Sequence, residues 1–169
     1  MTIPTYDFVT LLQTFAEHQV DLIVVGGVCA VLHGAPINTF DLDLVHSRAP
    51  DNLERLLGAL QALDARYRDP AGRKLRPQLS HLASTGHQLL TGTAGPFDLL
   101  GTIGTGLGYP DLLQHTVELQ VGPGLHVRVL DLAKLIEIKE QLGRDKDRAV
   151  LPILRRTLEE KLRGGDPDR

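Results

Sequence analysis

The sequence contains no tryptophan and one cysteine, and aromatic residues make up only 4% of its 169 positions. A single cysteine excludes an internal disulfide, and the small neighbours of Cys29 indicate buried packing in a reduced, cytoplasmic setting. With few aromatic residues, the core must consist mainly of Leu, Val, Ile and Ala. The 42% hydrophobic content predicts one domain of ordinary size over residues 1–163, followed by a flexible tail at 164–169.

Several functional signatures are also missing from the chain. No apolar run approaches the roughly 20 residues that a membrane span needs, and we expect no signal peptide. None of the seven histidines has zinc-ligand spacing. The glycine-rich segment 101–108 matches neither a dinucleotide motif nor a P-loop and is interpreted as a flexible loop. The net charge of −3 argues against a general nucleic-acid coat protein, but it is compatible with a local basic patch on the surface.

Hydrophobic periodicity predicts helices mixed with strands, some of them in hairpins, which is typical of an α+β domain with a mixed sheet. The first predicted helix has Thr5 as its N-cap, and the third has Asp51 or Asn52 near its N-cap. A break at Gly143 is expected to divide the C-terminal helical segment. The predicted helices cover 5–20, 27–34, 51–67 and 131–163, the predicted strands cover 20–27 and 39–45, and the predicted hairpins cover 87–103, with its turn at 91–95, and 117–130, turning at 122–124.

Two aspartates, Asp41 and Asp43, lie in an otherwise apolar predicted strand. Residues two apart in a strand project to the same face. Two carboxylates about 5 Å apart repel by roughly 3 kcal/mol at an effective dielectric constant of about 20, so stability gives no reason for this pattern. A divalent cation between them would make the arrangement favourable. The alternative is an exposed strand face with ordinary solvated charges.

The surroundings of this acidic pattern favour a nucleotide site. Gly26 and Gly27 end one strand and open a short helix, where free backbone N–H groups can receive phosphate. Asp98 is a further acid within an apolar strand. If its strand pairs beside that of Asp41 and Asp43, three carboxylates converge and suit two Mg²⁺ or Mn²⁺ ions, one activating an attacking hydroxyl and one holding a triphosphate.

Taken together, the pair Gly26-Gly27, then Asp41-Leu42-Asp43, then Asp98 resembles the DNA polymerase β-like nucleotidyltransferase superfamily. It is most similar to small minimal nucleotidyltransferases and to toxins of abortive-infection, type IV toxin–antitoxin systems. Their C-terminal helical segment often carries Lys, then Gly-Arg, then Lys-Asp. The corresponding residues here are Lys139, Gly143, Arg144, Lys146 and Asp147.

The resemblance implies a nucleotidyltransferase fold, a mixed sheet flanked by helices with a helical C-terminal segment. It further implies that Lys139, Arg144 and Lys146 help to hold the nucleotide. The alternative for these three is a solvated amphipathic helix with i,i+4 ion pairs. Two positions depart from the family pattern, since Gly27 stands where many members have serine and Ile37 stands near a frequent arginine.

The sequence therefore predicts a cytoplasmic, metal-dependent enzyme that transfers a nucleoside monophosphate from an NTP to a hydroxyl. The acceptor could be tRNA, a protein or a small molecule, and an antitoxin is a possible partner. A non-catalytic nucleotide-binding or regulatory module that keeps the fold is the alternative. A further alternative is an RNA-binding protein that uses the polar loop 68–78 and the C-terminal helices, and the acidic net charge makes it the weaker one. In that loop, Arg73, Lys74 and Arg76 are either nucleic-acid contacts or part of a solvated loop.

Overall fold

In the computed structural model, which describes residues 7–164, seven strands form one mixed sheet with helices packed against it. The strands are β1 (Leu22–Val25), β2 (Leu42–His46), β3 (Arg66–Tyr67), β4 (His87–Gly92), β5 (Gly95–Leu100), β6 (Thr116–Gly122) and β7 (Leu125–Leu130). The helices are α1 (Phe8–Glu17), α2 (Gly26–Leu32), α3 (Pro50–Ala62), α4 (Leu79–Leu82), α5 (Tyr109–Leu112), α6 (Leu132–Leu142) and α7 (Asp145–Gly164), with a 3-10 turn at Leu113–His115.

The sheet has the order β3-β4-β5-β2-β1-β7-β6, so β2 lies at its centre. Strand β2 pairs antiparallel with β1 and parallel with β5. The two hairpins, β4–β5 and β6–β7, form the flanks of the sheet. Strand β1 is buried along its whole length, in agreement with its place inside the sheet, where both faces are covered.

The hydrophobic core lies between the central strands and the helices. Phe15 of α1 and Phe97 of β5 meet edge to face with ring centroids 5.7 Å apart, and both are almost fully buried. Most other buried core side chains are Leu, Val, Ile and Ala, as the composition predicted. Within residues 7–164, no helix is long and apolar enough to cross a membrane.

The predicted α+β class with a mixed sheet is confirmed. Both predicted hairpins are present, with turns between Gly92 and Gly95 and between Gly122 and Leu125. Gly143 separates α6 from α7 in a left-handed conformation with φ +60°, which glycine adopts without steric cost.

Several predicted boundaries were wrong, among them those of α3, β2 and α1. The helix expected over 51–67 has Ala49 as its N-cap and ends at Ala62, and the short strand β3 follows it. The side chain of Asn52 does not cap this helix, because it donates 2.8 Å to the Ser47 carbonyl and accepts 2.7 Å from the Asp21 amide.

The second and third wrong boundaries belong to β2 and α1. Strand β2 starts at Leu42 rather than residue 39, so Phe40 and Asp41 precede it. Helix α1 starts at Phe8 and is capped by Asp7, whose side chain accepts from the Thr10 amide. The proposed cap Thr5 lies outside the described residues, as does the predicted tail beyond Gly164, where α7 ends.

Candidate functional site

The centre of the candidate site is a pair of carboxylates on adjacent parallel strands. Asp43 of β2 is in register with Asp98 of β5, so the sequence prediction that these two strands pair is confirmed. The two side chains share a hydrogen bond, and Asp43 is half-buried. Burial first, and then the charge of Asp98, raise the pKa of Asp43 to about 7. Burial and the neighbouring charge of Asp98 therefore both disfavour the ionised form of Asp43.

The third predicted acid, Asp41, is exposed and lies just before β2. Its charge adds to the rise in the pKa of Asp43, so it is close enough to affect the pair. Residues 7–164 contain no group of three or more His, Cys, Asp or Glu side chains arranged to hold a metal ion. Asp43 and Asp98 are thus the two acids that the fold brings together, and ligation by Asp41 stays a prediction.

Two adjacent carboxylates suit Mg²⁺ or Mn²⁺. Mg²⁺ is usually bound through one or two carboxylates plus substrate phosphates, and oxygen is the ligand that both ions accept. A cation beside Asp43 would favour its ionised form, which burial and the charge of Asp98 disfavour. Asp43 and Asp98 therefore fit a site that substrate phosphates would complete.

Arg68 also belongs to the site, and the sequence prediction missed it. Its Nη2 lies 2.7 Å from Oδ1 of Asp98, and its Nη1 donates to the Leu90 carbonyl at 3.3 Å. The side chain of Asp98 is only 15% exposed, so the guanidinium neutralises a carboxylate that water reaches poorly. Thirty residues separate the two, and only the interposed strand β4 brings them together, so local spacing carried no signal of this contact.

The glycine pair lies directly against the acids. Gly26 begins α2 with φ +70°, and a Cβ at this position would overlap the carboxylate of Asp43. Among the described residues no side chain caps α2, so backbone N–H groups of its first turn stay available. A Cβ at Gly27 would overlap the side chain of Thr39. A serine at this position would therefore not fit beside Thr39 as this side chain is placed.

The predicted basic residues of the C-terminal segment have different environments. Lys139 and Arg144 both pair with the buried Asp147, at 3.2 Å and 2.6 Å. Hydrogen bonds from Arg144 lower the pKa of Asp147 to about 2, with a further contribution from Lys139. Lys139 also lies near enough to lower the pKa of Asp43, whereas Lys146 is exposed and has no ion pair within residues 7–164. Lys139 is thus the one of the three that the structure links to the acid pair.

Two candidates near α2 have structural roles. Cys29 is buried beside the Leu130 carbonyl, and burial raises the pKa of its thiol to about 12, which leaves it unreactive at neutral pH. His33 donates from Nε2 to the same carbonyl at 2.7 Å and accepts at Nδ1 from Lys161 at 2.6 Å. Both side chains tie α2 to β7, and the buried packing predicted for Cys29 is confirmed.

The comparison with solved structures addresses the fold. A protein from Thermotoga maritima, provisionally named a nucleotidyltransferase, is similar over 89% of each chain, with a TM-score of 0.53 and 15% sequence identity. No protein-family model and no curated protein matches the sequence. The acid pair, the glycine turn and the sheet order therefore lie within a nucleotidyltransferase fold.

Proposed function

We propose that this protein is a metal-dependent nucleotidyltransferase that moves a nucleoside monophosphate from an NTP to an acceptor hydroxyl. The observation that carries the proposal is the register of Asp43 with Asp98 on adjacent strands, against the Gly26 turn. Two carboxylates in contact destabilise a sheet, and a phosphate-bound divalent cation offsets their repulsion. The similarity to a nucleotidyltransferase-like fold supports the same reaction class.

Each residue of the site has a role in this proposal. Asp43 and Asp98 would hold Mg²⁺ or Mn²⁺, with Asp41 as a further ligand, and the ion would supply charge neutralisation at the reacting phosphate. Backbone N–H groups at Gly26 and Gly27 would receive phosphate oxygens. Lys139 would add positive charge on the side of α6. The predicted role of Lys146 at the nucleotide belongs to the same proposal, whereas we assign Arg144 to the α6–α7 junction through its 2.6 Å contact with Asp147.

The proposed transfer is an in-line displacement at the α-phosphorus of the NTP. The acceptor oxygen forms a bond to phosphorus as the bond to the β-phosphate bridging oxygen breaks, and pyrophosphate leaves. Asp98 would accept the proton of the acceptor hydroxyl through the carboxylate oxygen that Arg68 does not contact. The acceptor is a hydroxyl of RNA such as tRNA, of a protein or of a small molecule, and a toxin role with an antitoxin partner extends the proposal.

Transfer of label from each radiolabelled NTP tests the reaction. The protein is incubated with Mg²⁺ or Mn²⁺ and a pool of tRNA and proteins, and both labelled acceptor and pyrophosphate are measured. Asp43→Asn should reduce transfer by roughly a thousandfold or more, because it removes one negative ligand at the reacting centre. Glu159→Gln, on the exposed face of α7, is the matched charge control and should transfer as wild type does. Equal transfer by wild type and Asp43→Asn would place the chemistry elsewhere.

A second candidate is a nucleotide-binding module without catalysis. Two observations favour it: Arg68 occupies one oxygen of Asp98, and no three-acid group is gathered among residues 7–164. Metal-dependent nucleotide binding that Asp43→Asn abolishes, together with no label transfer to any acceptor in the pool, would support this module over the enzyme.

A further inference from the structure

A basic groove lies on the same face of the sheet as the acid pair. It has a volume of about 580 Å³ and is formed by β3, the start of the loop that follows it, and Thr91 of β4. We call it the β3 groove. Its cationic members are Arg66, Arg68, Arg73 and Lys74.

The sheet register places the β3 groove beside the candidate catalytic acids. Asp43 is opposite Asp98, Asp98 is opposite Leu89, and the amide of Arg68 donates to the Leu89 carbonyl at 3.1 Å. Residues opposite each other in paired strands share a face. Two strand spacings of about 4.8 Å separate the backbone of Arg68 from that of Asp98, a distance of roughly 10 Å. The 2.7 Å ion pair between their side chains spans this gap.

Two of the four cations of the β3 groove lie in ion pairs, Arg68 with Asp98 at 2.7 Å and Arg73 with Asp69, the one carboxylate of the groove, at 2.6 Å. Outside the groove, Asp64 lies near enough to Arg66 and Lys74 for both to lower its pKa. Arg66 and Lys74 have no ion-pair partner within residues 7–164. The Tyr67 amide donates to the Leu75 carbonyl at 2.8 Å, so the loop folds back and Lys74 returns beside β3. This excess of positive charge contrasts with the net charge of −3 for the whole chain.

We propose that the β3 groove binds the phosphate backbone of a single-stranded nucleic acid and directs its terminal hydroxyl toward Asp98. The proposal rests on the proposed nucleotidyltransferase function and assigns its acceptor class. Arginine and lysine side chains that line one groove suit the consecutive phosphates of a nucleic-acid backbone. Arg68, the one groove residue that contacts Asp98, is placed to release that carboxylate when a phosphate takes up its guanidinium.

Binding of a fluorescein-labelled 12-nucleotide RNA, followed by anisotropy without NTP or metal, tests this inference. The double variant Arg66→Gln/Lys74→Gln should lower affinity at least tenfold at 100 mM salt. It should also reduce the slope of log affinity against log salt by about 1.4, since each phosphate contact on a single strand contributes roughly 0.7. The matched control Arg156→Gln/Arg163→Gln removes the same two charges from exposed positions on α7 and should change both quantities little.

The outcomes separate this inference from the proposed function. Equal RNA affinity of the groove variant and the α7 control would overturn the inference. Displacement of the RNA by polyglutamate at equal charge concentration would also overturn it, because the groove would then bind any polyanion. A groove variant that loses affinity for Mg²⁺–ATP but keeps its affinity for RNA would place a triphosphate in the groove, which also overturns the inference.

Label transfer to a protein or small molecule only, with RNA neither bound nor labelled, would leave the proposed function standing and remove the nucleic-acid acceptor. RNA binding that the groove variant loses, with no transfer by wild type, would support the groove and contradict the enzyme.

Discussion

Asp43 is held where its own charge opposes folding. It is half-buried, it shares a hydrogen bond with Asp98, and its pKa is raised to about 7 by burial and by that neighbour. A leucine or valine at this place in β2 would continue the apolar pattern of the central strands without this cost. A destabilising buried charge of this kind is typical of functional sites, and this is why the functional proposal is based on Asp43.

The pH dependence of stability should reveal this cost. The unfolded chain releases the Asp43 proton near pH 3.8 and the folded chain near pH 7, so between these values the folded state binds more protons. Stability from this group is therefore present below about pH 4 and is lost as the pH rises through 7. Asp43→Asn should be more stable than wild type by about 3 kcal/mol at pH 8 and nearly equal to it at pH 4, measured by urea unfolding.

Glu159→Gln provides the control for this measurement, because Glu159 is an exposed residue of α7. We expect its stability to remain within about 0.5 kcal/mol of wild type at both pH values. A destabilised Asp43→Asn at pH 8 would mean that the carboxylate has a favourable partner in the folded state.

Gly26 is required for two separable reasons, and a second glycine isolates one of them. Gly26→Ala introduces a Cβ at φ +70° and overlaps Asp43, whereas Gly124→Ala introduces one at φ +67° with no described atom within 4 Å of it. Both variants should lose about 1–2 kcal/mol from backbone strain. Only Gly26→Ala should also lose metal-dependent nucleotide binding, measured by calorimetric titration. Loss of binding in both variants would show that general destabilisation, rather than the overlap, is responsible.

At this scale the sequence allowed part of the site to be predicted. Acids inside apolar strands are visible as exceptions to a pattern, which identified Asp43 and Asp98. Arg68 gave no such exception, because it lies in a polar segment and reaches Asp98 across an intervening strand. The closeness of Thr39 to Gly27 was equally hidden, since it depends on the path of the chain between α2 and β2.

At the scale of secondary-structure elements, a buried carboxylate with two cationic partners joins α6 to α7. Asp147 is fully buried and receives Arg144 at 2.6 Å and Lys139 at 3.2 Å, so it fixes the two helices relative to each other. The same contact holds the ammonium of Lys139 where it acts on Asp43. One carboxylate therefore serves both the helix junction and the candidate site.

Asp147→Asn should destabilise the protein by about 3 kcal/mol at pH 7, because it leaves two cations beside an uncharged buried amide. The pKa of Asp147 is lowered to about 2, so its stabilising contribution is present above about pH 4 and is lost as the pH falls through 2. The difference between wild type and variant in thermal unfolding should shrink accordingly below pH 4. A constant difference from pH 7 to pH 2 would contradict the ion-pair origin.

Lys139 and Arg144 form a matched pair for the functional question. Both contact Asp147, but Lys139 alone also acts on Asp43, and the Arg144 side chain is 51% exposed. Lys139→Gln should weaken binding of Mg²⁺–ATP about tenfold, whereas Arg144→Gln should lower the unfolding temperature with little change in ATP affinity. Equal loss of ATP affinity in both variants would assign the effect to the helix junction.

Elements with strong local signals were predictable, and short ones were not. The glycine turns of both hairpins and the Gly143 break were read directly from the sequence. Strand β3 was assigned to the preceding helix, because Arg66 and Tyr67 continue a helical pattern until tertiary pairing with β4 decides otherwise. Helix α4 was not predicted either, because four residues are too few to show a helical period in the sequence.

At the scale of the whole molecule, the sheet order explains why the acid pair and the basic β3 groove lie close together on one face of the sheet. The parallel pairing of β2 with β5 brings Asp43 to Asp98, and the β4–β5 hairpin then extends the same row to the basic segment after β3. The pairing of these strands was expected from the acids alone. The position of β3 at the sheet edge was not, because nonlocal pairing leaves no periodic trace in a two-residue strand.

Ligand binding to this site should appear as a change in the stability of the entire chain. A ligand at one hundred times its dissociation constant adds about 2.7 kcal/mol to the folded state, which corresponds to roughly 5–10 °C in a domain of this size. We expect this rise in unfolding temperature only when ATP and Mg²⁺ or Mn²⁺ are present together, because the cation needs phosphate oxygens to complete its ligands and the phosphates need the cation beside two acids. Asp43→Asn should abolish the rise, and Glu159→Gln should retain it. A full rise with ATP alone, unchanged by EDTA, would show that the nucleotide binds without the acid pair and would contradict the metal-dependent site.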